Sequence, residues 1–136
     1  MSENSVKMEV QALPENISVV RLTASGLASK MGFDLEAIED IKVCISEACT
    51  NAIRHSDEKI FHVEFSVFED NINIKVYDNG KGYDVSSVPE PDFGDPKENG
   101  LGLFIIKTLM DEVEITSDDS GTCICMVKYI GDSFYE

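Results

Sequence analysis

Basic residues are scarce in this chain. Lysine and arginine number 11 against 26 aspartates and glutamates, a net charge of −15. Such a balance repels a phosphate backbone and an anionic membrane surface, so direct nucleic-acid and membrane partners are not expected. It suits solubility and attraction to a basic protein surface. No apolar run approaches the roughly 18 residues that would suggest a membrane span. The opening M-S-E-N-S-V-K has neither a basic n-region nor an apolar core, so no secretion signal is read there and the expected location is the cytoplasm. The four cysteines, Cys44, Cys49, Cys123 and Cys125, form no C-x-x-C pair, and neither His55 nor His62 stands at zinc-finger spacing from them. They are expected to be small buried hydrophobes in a reducing compartment. G-x-x-x-x-G-K-[ST] is missing, which excludes a P-loop, and no strand is followed by G-x-G-x-x-G, which removes support for a dinucleotide fold.

What is present suits one compact domain, residues 1–136, with 43% hydrophobic residues to build its core. Alternation over residues 5–13 predicts a short first strand. Ile17, Val20, Leu22, Leu27 and Met31 then suit a helix that Gly32 would stop, with Gly26 a weak point inside it. Asp34 is placed to cap a longer helix running to about His55, where Ile38, Ile41, Ile45, Ala48 and Ala52 mark a buried stripe. F-H-V-E-F-S-V-F at 61–68 and I-N-I-K-V-Y at 72–77 read as strands joined by a turn. Three prolines and Gly94 exclude a regular element from residues 83–99. A loop of that length in a small domain is commonly a functional lid or disordered. A third helix is predicted from Gly100, then strands at 113–117 and 122–130. The order β-α-α-β-β-loop-α-β-β predicts a two-layer α/β sandwich, with three helices on one face of a mostly antiparallel sheet.

Three stretches carry chemistry. E-A-C-T-N at 47–51 puts Glu47 and Asn51 four apart, on one face of the long helix and beside its apolar stripe. An amide oxygen can ligate Mg²⁺, and a neighbouring carboxylate can accept a proton from an attacking hydroxyl. D-N-G-K-G at 78–82 ends a strand on a carboxylate able to accept a hydrogen bond from an amino group on a flat ring. Its Gly80 and Gly82 would let backbone approach a ligand closely. Gly100, Leu101 and Gly102 open a helix whose first N–H groups favour a phosphate.

In order and separation these stretches resemble the N, G1 and G2 boxes of the GHKL ATPase superfamily, which has the Bergerat ATP-binding fold. Gly121-Thr122 looks like that family's final box. E-A-C-T-N-A-I-R-H at 47–55 and N-G-L-G-L-F-I-I-K-T-L-M-D-E-V-E-I at 99–115 are similar to the bacterial serine-kinase anti-sigma factors. The resemblance runs over nearly the whole chain. It implies that Asn51 holds Mg²⁺ against the phosphates of ATP and that Glu47 is the catalytic base. It implies Asp78 on the adenine amino group with Thr122 in support, Gly80 and Gly82 shaping the adenine side, and Gly100 to Gly102 around the triphosphate. Residues 83–99 would be the ATP lid. The implied partners are an anti-anti-sigma (STAS-type) protein as substrate, a sigma factor, and a second copy of the chain. Asn99 departs from the family where many relatives have another glycine. Lys81 and Lys97 are the lid region's basic residues, and Lys107 is expected at the surface. A phospho-accepting histidine kinase would need a separate helical dimerisation module, for which 136 residues leave no room. The alternative kept open is a nucleotide-gated protein-binding module without kinase activity; an intact Glu47 favours the enzyme.

Overall fold

The structure is a computed structural model in which residues 3–55, 59–79 and 100–131 are described. Five strands, β1 (Asn4–Gln11), β2 (Ile60–Val67), β3 (Asn71–Asp78), β4 (Glu112–Asp118) and β5 (Gly121–Tyr129), form one sheet in the order β1-β2-β3-β5-β4. Every pairing is antiparallel. The helices α1 (Ile17–Met31), α2 (Leu35–His55) and α3 (Gly100–Leu109) supply the second layer, with a 3₁₀ turn at Pro14–Asn16 leading into α1. This is the expected sandwich.

Local chemistry sets the helix ends. Gly32 lies at φ 99°, a left-handed conformation that costs glycine little. Its N–H reaches Ser29 O at 3.1 Å while the Phe33 N–H reaches Ala28 O at 3.1 Å, a Schellman closure. Two residues later the Asp34 carboxylate accepts the Ala37 N–H at 2.8 Å and caps α2, worth about 1 kcal/mol. At the far end of α3, Lys128 donates from β5 to the Leu109 carbonyl at 2.7 Å, placing a cation on the negative end of the helix.

The core fills the space between layers. Ile41, Cys44, Ile45, Ala48 and Cys49 of α2 are wholly buried against Phe61, Val63, Phe65, Ile72 and Ile74 of the sheet. Burying one such Phe or Ile contributes about 1.5–3 kcal/mol. In α1 the buried stripe is Val20, Ala24 and Ala28, whose small side chains let the helix pack closely, whereas Leu22 is 73% exposed. Gly26 faces open space and does not interrupt α1.

The cysteines divide, which corrects the expectation that all four are core residues. Cys44 and Cys49 are buried, and burial pushes each thiol up to about 12. Cys123 and Cys125 are half-buried, because period-two alternation turns Thr122, Ile124 and Met126 toward the helices and both cysteines to the other face.

Candidate functional site

Along β3 the inward positions are Ile72, Ile74, Val76 and then Asp78. The last is a carboxylate where the pattern calls for another hydrophobe, and it is only 4% exposed. Its cross-strand partner in β5 is Thr122, 2% exposed. These are the buried polar side chains among the described residues. A buried charge persists only where its hydrogen bonds are satisfied or a ligand completes them.

Two further residues support this pair. Ser117 of β4 lies opposite Thr122, and their hydroxyls are 2.8 Å apart. Sequence reasoning missed Ser117; the signal was its parity with Val113 and Ile115, the half-buried positions of β4. His55, at the last turn of α2, is half-buried and feels the Asp78 charge. Desolvation, aided by Arg54, outweighs Asp78 and lowers the His55 pKa below its ordinary value.

Gly121 brings the strands together. Its φ is 138°, and a Cβ there would stand 2.0 Å from the Asp78 carbonyl oxygen and 3.0 Å from the Asn79 Cα. The end of β3 therefore runs directly over the start of β5, an approach that only glycine allows.

On the helical side, Glu47 and Asn51 are both half-buried, one turn apart on α2, with His55 one turn beyond. The Asn51 amide nitrogen is buried without a hydrogen-bond partner among the described atoms. α3 packs against this helix. Gly102 is the contact: a Cβ there would come within 2.8 Å of Glu47 Oε1. Gly100 is buried, Leu101 and Gly102 are half-buried, and Lys107 is exposed as expected. The fold thus joins Glu47 to Gly102, Asp78 to Thr122, and His55 to Asp78. Gly80, Gly82, Lys81, Lys97, Asn99 and the lid at 83–99 lie outside the described residues.

This α/β sandwich carries a helix that opens on glycines, a carboxylate–amide pair on the neighbouring helix and a buried acid at a strand end. Residues 10–128 match the family described as "Histidine kinase-like ATPase domain". The protein called serine-protein kinase RsbW in Bacillus velezensis is 40% identical, over 95% of this chain and 88% of its own. That of Listeria monocytogenes serotype 4a is 37% identical, over 98% and 92% respectively. Among solved structures, the RsbU and RsbW domains of a Mycobacterium tuberculosis protein superpose with a TM-score of 0.71 at 20% identity. That match covers 93% of this chain and 32% of the longer one, and it speaks for the fold. The chain belongs to the histidine kinase-like ATPase family, on the branch of the RsbW serine-protein kinases.

Proposed function

We propose that this protein is an ATP-dependent protein-serine kinase and anti-sigma factor, acting as one ATP-binding domain. The observation that carries the reading is the meeting of Glu47 with Gly102, which sets a carboxylate against the head of the helix where a triphosphate would end. N–H groups and the helix dipole there favour the phosphates. Asp78, with Thr122 opposite it on β5 and Ser117 bonded to Thr122, accepts the adenine amino group. Asn51 fits the metal-holding role through its amide oxygen, while its buried, unanswered amide nitrogen is a donor suited to a phosphate oxygen. Bound Mg²⁺ would neutralise charge building on the transferring phosphoryl group. Glu47 takes the proton from a substrate serine as its oxygen bonds to the γ-phosphorus, and the bond to ADP breaks.

The substrate is a serine on an anti-anti-sigma protein of the STAS type, and a sigma factor is the second partner; both follow from the family resemblance. So does a homodimer, for which the outward Val19 and Leu22 of α1 offer an apolar surface. No helix among the described residues is long and apolar enough to cross a membrane, in keeping with a cytoplasmic location.

The test is transfer of label from γ-labelled Mg-ATP to one small protein in an extract of the native host. Asp78→Asn should weaken ATP binding by at least tenfold and abolish labelling at sub-saturating ATP. ATP bound without any transfer, in the presence of the cognate anti-anti-sigma protein, would replace the kinase with a nucleotide-gated binding module.

Gly102→Ala separates catalysis from stability. The new methyl meets the mobile end of Glu47, so the carboxylate swings away at a folding cost below about 1 kcal/mol. A displacement of that size can lower the transfer rate by roughly 10²-fold. Thermal melts alongside single-turnover transfer check both halves. Transfer within threefold of wild type would show that the Glu47 position does not matter.

A further inference from the structure

Ser117 belongs to no motif of the nucleotide site, yet its hydroxyl touches one of that site's residues. It lies on β4, the edge strand of the sheet, and shares the inward parity of Val113 and Ile115. A third aliphatic side chain would continue that pattern, and a serine stands there instead. The Ser117 hydroxyl is 2.8 Å from that of Thr122, its cross-strand partner, and Thr122 is in turn the cross-strand partner of Asp78. Three polar side chains thus form one row across β4, β5 and β3, with Thr122 2% and Asp78 4% exposed.

Two hydroxyls in contact can share a hydrogen bond in either direction. The neighbouring carboxylate decides between them. An ionised Asp78 only accepts, and it stands on the β3 side of Thr122, with Ser117 on the β4 side. Its charge draws the Thr122 proton toward β3. A Thr122 lone pair is then turned to β4, where the Ser117 hydroxyl donates to it. The site therefore offers a hydroxyl donor beside a carboxylate acceptor. A 6-aminopurine presents the matching pair, an amino donor next to the N1 acceptor. A 6-oxopurine presents the reverse, a carbonyl oxygen next to an N1–H. Without the serine the Thr122 rotor loses its anchor, and a lone pair can turn to meet that N1–H. We propose, on the reading of Asp78 and Thr122 as the adenine end of an ATP site, that Ser117 is a positioning residue. It sets the Thr122 hydroxyl as a donor, and so makes the pocket select 6-aminopurine over 6-oxopurine nucleotides. Ser117 acts through Thr122 and needs no contact with the base.

The test is equilibrium dialysis of the full chain against Mg-ATP and Mg-ITP, two nucleotides that differ only at purine C6 and N1. Wild type should prefer ATP by at least about tenfold, because a mismatched base leaves buried polar groups unpaired. Ser117→Ala should lower ATP affinity about fivefold, the worth of one neutral hydrogen bond, and leave ITP affinity within about twofold of wild type. Ser117→Thr restores the hydroxyl on a residue that suits a strand, and should return the ATP-to-ITP ratio to within about twofold of wild type. In a Thr122→Val background, Ser117→Ala should no longer change the ratio, since the group it acts through is gone. A serine with a structural role alone would lower both affinities together, with the melting temperature, and leave the ratio unmoved. Should Ser117→Ala not fold, Ser117→Cys, close in size and a weak donor, takes its place. A wild type without preference, a ratio unchanged in Ser117→Ala, or one that Ser117→Thr does not restore overturns the role of Ser117. Asp78→Asn, run alongside, tells that failure from a deeper one. If it leaves ATP binding undiminished, the adenine site itself is wrong. If it weakens ATP while the Ser117→Ala ratio stays at the wild-type value, only the part given to Ser117 is lost.

Discussion

Glu47→Gln is expected to remove phosphoryl transfer while leaving ATP bound. The two side chains are nearly the same size, so the contact with Gly102 is kept and α2 still packs on α3. The amide cannot take a proton from a serine hydroxyl, however. A positioned base contributes about 10²–10⁴-fold, equivalent to roughly 3–5 kcal/mol of transition-state stabilisation. Loss should fall on kcat, because the base acts only as the serine proton leaves and makes no ground-state contact with the adenine pocket. Transfer to the purified anti-anti-sigma substrate under single-turnover conditions gives the rate, and equilibrium binding of a fluorescent ATP analogue gives the affinity. A rate drop of two decades or more with affinity within about threefold of wild type is the expected pair of results. A rate within tenfold of wild type would remove Glu47 as the base and leave its role to packing.

Gly121→Ala is expected to be more damaging than an added methyl at Gly26, Gly32 or Gly102. At this position the obstacle is backbone: a Cβ would lie 2.0 Å from the Asp78 carbonyl oxygen, and φ is 138°. Neither neighbour can swing aside as Glu47 can from Gly102. Left-handed strain and overpacking together cost roughly 3–5 kcal/mol, a large share of a typical 5–15 kcal/mol stability. Relief would have to come from parting β3 and β5 where Asp78 meets Thr122, so nucleotide affinity should fall with stability. Urea unfolding followed by circular dichroism measures the first, and ATP binding the second. Gly26→Ala is the counterpart. Its Cβ meets nothing within 4 Å in the middle of a helix, and the change should stabilise by about 0.5–1 kcal/mol. If the two substitutions had similar effects, the close passage of β3 over Gly121 would be wrong.

The sequence by itself determined the order and type of the elements, because their signals are local. Alternation wrote β2 and β3, the Ile38-to-Ala52 stripe wrote α2, and Gly32 and Asp34 marked where one helix ends and the next begins. The same locality made Glu47 and Asn51 legible as neighbours one turn apart. The departure of Asp78 from the apolar rhythm of β3 was legible too. Strand partners beyond the two hairpins, β2 with β3 and β4 with β5, were not legible, since hydrogen-bonding groups are the same along every strand and an alternating pattern does not name its neighbour. Only the tertiary structure sets β5 beside β3, and that pairing lays Thr122 beside Asp78. It also decided which face each side chain meets. Leu22 turned outward because the α1 seam accepts Ala24 and Ala28, and Cys123 and Cys125 turned away from the core because Ile124 and Met126 fill it. Burial is a property of what packs against a residue, and in this chain that partner is usually far away in sequence.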